Sequence, residues 1–504
     1  MGNRSKGIVM SYANRVINML CGLILSSFLL RILGDTEYGI YQTIASFVNY
    51  LVLLEFGMGT AMTRNISMCR GRGATEEEIF RNASTIWTLT WILSGLILVL
   101  STLFYHLAPM LYAKSMTVEQ IAYGQRMIIP ITGYLVASFL IQTMDGLLLA
   151  YEQYSFASVR EIARTVVKFT VLLLLLTHYR YAILIAVADM LLSIVCVAVS
   201  YRVCAGKMGR RLKIGTLDRN VVAASLPLCM ALFLQAIVNQ ANNNVDKFLI
   251  GIKMSPESVS LYAVALYIYS MFSSLTTIPI TMFAPSVAQR VGKGDRGPQL
   301  MDCLVGPCRL TALIGGLILF GFAAVGRPFV TLMYGQAYLQ AWPIAIILMA
   351  PMYINMVNGV LVNVLDALNK RMSRSFALIL TTAGNIILTV FWLDRWGVTG
   401  AAMATALCTV LGQVLIMNIY YSRVLKIPVI RLFGQAFKGI LPYLLIGCAV
   451  ASVLSSVIAN AWISLLAGGF VFVGIVCGGW YLFGSTGAEK AMVRKLLRRG
   501  GRLD

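Results

Sequence analysis

Apolar runs of membrane length alternate with short polar intervals along the whole chain. Runs near 8–31, 38–62, 84–108, 121–150, 156–177 and 180–201 form a first group of six, and runs near 221–250, 258–285, 305–326, 340–368, 374–393 and 398–422 form a second. Two more, near 437–459 and 461–484, precede a basic tail. A spanning helix takes about 20 residues at roughly 1.5 Å rise each, so the pattern predicts an all-α, polytopic membrane protein with about 14 transmembrane helices. The expected divisions are a six-helix bundle over 1–213, a second over 214–424, two additional helices over 425–486, and a cytoplasmic tail over 487–504. The longest polar intervals, such as Arg202 to Arg219, run only about 20 residues, too short for a folded domain. Whatever the protein does is therefore done within the membrane.

An even number of spans separates the two groups, so they lie parallel. At an offset of 221 residues Asn14 meets Gln235, Asn18 meets Asn239, Tyr41 meets Tyr262 and Asp145 meets Asp366. A parallel repeat of this kind places a substrate path between bundles. In the first span Ser11, Arg15, Asn18 and Gly22 follow the i, i+4, i+7, i+11 spacing of one helix face, and in the seventh Gln235, Asn239, Asn242 and Asp246 repeat it. Such stripes either line a cavity or join helices by hydrogen bonds, each worth about 0.6 kcal/mol.

The fifth span carries Arg160, Arg164 and Lys168 at strict four-residue spacing, so three cations climb one face over about 12 Å. Arg160 can snorkel to the interface, but Lys168 falls near mid-membrane, where an isolated cation costs about 2.5 to 3.5 kcal/mol. Asp145, Glu161 and Glu55 are too few to neutralise Arg15, Arg160, Arg164 and Lys168. A positive surplus implies an anionic ligand, and the Arg fork suits phosphate. The expected substrate-binding set is Arg15, Asn18, Arg160, Arg164, Lys168, Gln235, Asn239 and Asn242. The intramembrane carboxylates Glu55, Asp145, Asp246 and Asp366 are candidates for proton or sodium coupling, with structural pairing to Arg15 or Arg160 as the alternative.

Composition agrees with the hydropathy. Hydrophobic residues make up 59% of the chain and charged residues 12%, against roughly 25% in a soluble domain. A net charge of +21 would suggest nucleic acid in a soluble protein; here Lys and Arg sit between apolar runs, as positive-inside topology requires. Clusters such as Arg64 to Arg81, Arg202 to Arg219, Arg290 to Arg309 and Arg423 to Lys438 fall on one side, whereas the opposite turns carry mainly single charges such as Lys114, Arg180, Arg327 and Arg395. Both termini are thus expected in the cytoplasm, with the first span retained rather than cleaved as a signal peptide. The tail from Glu489 to Arg499 reads as a basic amphipathic helix suited to anionic membrane lipid. Ten scattered cysteines form no CxxC, and there is no phosphate-binding loop, nucleophile elbow or metal-ligand cluster. No cofactor and no enzymatic chemistry are expected.

The segments ILGDTEYGIYQ (32–42) and LLEFGMGTAMTR (53–64), and later NNNVDKFLIG (242–251) leading to a Tyr-bearing span, carry a resemblance that extends over nearly the whole chain. In order and spacing they resemble the polysaccharide transporter branch, the O-antigen-type flippases, of the multidrug/oligosaccharidyl-lipid/polysaccharide exporter superfamily. The resemblance implies a V-shaped core of two bundles plus two further helices. It also implies outward flipping of undecaprenyl-pyrophosphate-linked sugar repeat units by alternating access, for surface polysaccharide biosynthesis. By similarity the cationic cavity of the first bundle, with Arg15, Arg160, Arg164 and Lys168, holds the pyrophosphate, and other polysaccharide-assembly membrane proteins are expected partners. The drug-antiporter branch is similar in architecture but typically has a carboxylate in its first span, where this chain offers Arg15 and no acid. A membrane polysaccharide polymerase is a further alternative, and usually has a large external loop that this chain lacks.

Overall fold

The computed structural model describes residues 2–209, 211–368, 371–487 and 489–490. Side chains at 2–17, 20, 154, 231, 235, 238–239, 241–244, 371–373 and 375–377 lie outside the described residues, and with them fall Arg15, Gln235, Asn239 and Asn242 of the expected site. The expected tail helix beyond Lys490 also lies outside them. Among the described residues the chain is helical without strands. Among the described residues nine helices are long and apolar enough to cross a membrane, or ten if the bent pair Val429–Phe437 and Leu441–Val457 is one span. This is a multi-pass membrane protein.

Helices occupy every apolar run of the sequence, but glycines and charge alter how they are divided. Helix α1 (Gly2–Val48) takes in the first run and enters the second, bending at Gly34, whose φ of 79° is accessible to glycine at little cost. The second run then breaks: a short 3₁₀ turn (Asn49–Glu55) leads through left-handed Phe56 and Gly57 into α2 (Met58–Gly71). Helices α3 (Glu76–Tyr112), α4 (Val118–Ala150), α5 (Tyr154–His178), α6 (Ile183–Met208) and α7 (Arg219–Lys253) follow. Of these α5 is amphipathic, with its four charged residues in the first four turns.

The chain divides into two compact units, Met1–Ser260 and Leu261–Asp504. In the first, Met58, Met62 and Ile66 of α2 pack with Ile86 and Trp87 of α3 and with Met144 and Leu147 of α4 in one buried cluster. Thr63 Oγ1 donates across α2 and α4 to Gly146 O at 2.9 Å, a close approach that the small residue permits. Helix starts are capped as their sequences dictate. Thr75 accepts from the Glu78 N–H ahead of three glutamates, and Thr117 and Gln120 form a reciprocal capping box. The linker into α7 is laid along α3, with the N–H groups of Lys213, Gly215 and Asp218 donating to Ser84, Thr88 and Thr85. Thr36 Oγ1 donates to Glu257 Oε1 at 2.6 Å.

The second unit takes in most of α8 (Pro256–Gly292), then α9 (Met301–Tyr334), α10 (Ala341–Val357), α11 (Val360–Ala367), α12 (Arg371–Cys408), α13 (Met417–Val424), α14 (Val429–Phe437), α15 (Leu441–Val457) and α16 (Ala461–Gly479). Helix α12 joins two apolar runs through Gly397 at φ 58°. The buried guanidinium of Arg309 ties the end of this unit together. It donates to Gln435 O and Lys438 O at the end of α14 (2.9 and 2.8 Å), to Gly484 O (2.7 Å), and to both oxygens of Glu489 (2.8 and 3.3 Å). Burial pushes the Glu489 carboxyl up, but the hydrogen bonds from Arg309 and from the Thr486 N–H outweigh it and hold the group below the ordinary carboxylate range. A depressed folded-state value stabilises the fold above the unfolded value of about 4.3, and that contribution is lost as pH falls through the folded one. Glu489→Gln is therefore expected to lower the melting temperature at pH 7, with the gap to wild type narrowing only below about pH 4.3; thermal unfolding of the two proteins across that range checks it.

Candidate functional site

Helix α5 places Arg160, Arg164 and Lys168 on one face, and α4 and α6 bring carboxylates to that face. Arg160 forms a bidentate pair with Asp145 of α4, Nη1 to Oδ1 at 2.6 Å and Nη2 to Oδ2 at 2.8 Å, and Nη1 also donates to Ser200 Oγ at 2.9 Å. Lys168 Nζ donates to Asp189 Oδ2 of α6 at 2.7 Å. Arg164 lies between them, 3.3 Å from Glu161 and 3.5 Å from Asp189 Oδ1, with its guanidinium 5.3 Å from the Tyr134 ring centroid. The side chains of Arg160 and Arg164 are only 8% and 13% exposed, so these charges are held inside protein rather than snorkelled to the interface. Thr165 Oγ1 donates to Asn18 Oδ1 at 2.5 Å, which places Asn18 of the first-span stripe against α5.

The positive surplus expected from the sequence is absent from the described ladder, because three cations meet the three carboxylates Asp145, Glu161 and Asp189. Asp189 supplies the missing charge. It is a lone acid in the apolar run IAVADMLLSI, and an intramembrane acid of that kind was itself a signal. Its pairing with α5 follows from how α6 packs, which hydropathy does not encode. The three cations also differ in how fully they are used. Arg160 is bound bidentately, whereas both anionic contacts of Arg164 are long; the buried Nε of each lacks a hydrogen-bond partner among the described residues.

The coupling candidates sit in different local surroundings. Asp145 pairs with Arg160. Glu55 ends the 3₁₀ turn just before the left-handed break, within hydrogen-bonding reach of Gln142. Asp246 is buried on α7, and Asp366 is exposed near the end of α11. Among the described residues no group of three metal-ligating side chains occurs.

Comparisons with known proteins show the family of the chain and relatives of its fold. The family described as polysaccharide biosynthesis protein matches residues 5–290, more than half of the chain. No curated protein matches the sequence. Among solved structures, a lipid II flippase MurJ in an inward closed conformation aligns with a TM-score of 0.75 at 16% identity, over 95% of this chain and 98% of its own. An inward-facing multidrug resistance MATE family transporter of the MOP superfamily aligns with a TM-score of 0.60 at 12% identity, over 84% and 95%. A Vibrio cholerae MATE transporter gives 0.55 at 14%, over 86% and 99%. At these identities the likeness is one of fold, and that fold is shared by a flippase and by drug transporters.

Proposed function

The chain belongs to the polysaccharide biosynthesis protein family, and on that premise we propose that it is a lipid-linked oligosaccharide flippase. It moves undecaprenyl-pyrophosphate-linked sugar repeat units from the cytoplasmic to the outer face of the membrane by alternating access. The carrying observation is Arg164, a membrane-buried guanidinium with long anionic contacts and an unspent N–H, set between two other cations. A guanidinium in that condition has capacity for a pyrophosphate, which the bidentate geometry of Arg suits. Lys168 is the second phosphate contact, Arg160 holds the ladder in place through Asp145, and Asn18 borders the same face. Arg15, Gln235, Asn239 and Asn242 complete the path in this reading, with both termini in the cytoplasm and the basic tail on anionic lipid. The domain divisions read from the sequence belong to the same proposal, as does a coupling ion at Glu55, Asp145, Asp246 or Asp366.

The likeness in fold to MATE transporters favours a second reading, an ion-coupled multidrug antiporter. The first apolar run has no acid, which counts against it. Mass spectrometry of a deletion strain separates the two. The flippase reading expects undecaprenyl-pyrophosphate-linked sugar to accumulate, with loss of a surface polysaccharide. Unchanged lipid-linked pools together with altered drug sensitivity would overturn it in favour of the antiporter.

A further inference from the structure

We propose that Asp189 is an exchangeable internal counter-ion: in the empty carrier it occupies Lys168 and Arg164, and the phosphate of the substrate displaces it. The proposal rests on the flippase reading and concerns a residue that the sequence pattern did not select. A carboxylate and a phosphoryl oxygen call on the same donors, and a cation as deep as Lys168 requires an anion whether or not substrate is present. Asp189, itself 6% exposed, meets that need with one carboxylate spread over two cations. Its Oδ2 holds Lys168 at 2.7 Å, whereas its Oδ1 stands 3.5 Å from Arg164 and makes no hydrogen bond among the described residues.

The neighbouring level of the ladder shows the contrast. Asp145 presents both oxygens to Arg160 at 2.6 and 2.8 Å, and Ser200 accepts from the same guanidinium, so that pair is short and bidentate where the contacts of Arg164 are long, although the buried Nε of each arginine has no partner among the described residues. The ladder thus has a fixed level at Arg160 and an exchangeable level at Arg164 and Lys168. Competition also provides for release. When the path opens outward, return of Asp189 to the two cations lowers the cost of losing the phosphate, so affinity is traded for turnover.

The test uses full-length purified protein and undecaprenyl pyrophosphate as the probe, with binding and liposome transport measured in parallel. Asp189→Asn keeps the shape of the side chain and removes its charge. It is expected to bind the probe about tenfold more tightly, about 1.4 kcal/mol, while transport slows by about the same factor. A merely structural Asp189 would weaken both. Should Asp189→Asn misfold, the double variant Lys168→Gln with Asp189→Asn removes the pair together, and it is expected to bind at least as tightly as Lys168→Gln alone. Weaker binding in either comparison overturns the counter-ion role, provided that wild type binds and Arg164→Gln does not. If wild type itself fails to bind the probe, it is the flippase reading that falls.

Discussion

A carrier with Arg164→Gln is expected to insert at wild-type levels and fail to complement a flippase deletion. The effect is large because this guanidinium combines burial with unspent hydrogen-bonding capacity. Removing one partner of a desolvated, hydrogen-bonded charge pair costs about 2 to 5 kcal/mol, which is roughly 30-fold or more in affinity for the pyrophosphate. The fold should be largely spared, since the anionic contacts of Arg164 are 3.3 and 3.5 Å long and Asp189 keeps Lys168 when Arg164 is removed. Complementation of surface polysaccharide, scored beside membrane abundance, separates loss of transport from loss of protein. A variant with Gln at positions 160, 164 and 168 that still transported like wild type would remove the basis for a cationic pyrophosphate site.

Asp145→Asn should show the opposite profile, with stability lost first. It leaves the Arg160 guanidinium, 8% exposed, with Ser200 as its remaining close acceptor. Breaking a buried pair by removing one member costs about 3 to 5 kcal/mol, because the other charge stays desolvated and uncompensated. Thermal unfolding in detergent should register this as a clear fall in melting temperature. Replacing both members with apolar residues, Asp145→Leu with Arg160→Met, should recover much of the loss, since desolvation is then removed along with the attraction. If Asp145→Asn melts like wild type, the pair contributes little to stability and the structural role of Asp145 falls.

By itself the sequence determined that this is an all-helical, multi-pass membrane protein, because a helix satisfies its own backbone hydrogen bonds and apolar length alone decides whether it can span. The face of α5 was equally legible, since residues four apart on a helix must share a side. Tyr154–His178 forms the expected helix with Arg160, Arg164 and Lys168 aligned on it. Helix division was less legible: Gly34 and Gly397 let two apolar runs join through one bent helix, and the second run breaks at Phe56 and Gly57, where the backbone turns left-handed. What only the tertiary structure decided is the electrostatics of the ladder. Charge balance depends on which helices are neighbours, and the pairings of Asp145 on α4 and Asp189 on α6 with α5 span 15 and 21 residues of sequence. Helix periodicity reaches only one or two turns, so it cannot report a carboxylate delivered by another helix. Packing against α4 and α6 gives the three cations of α5 carboxylate partners, and among these described residues Arg164 is the one bound by long contacts on both anionic sides.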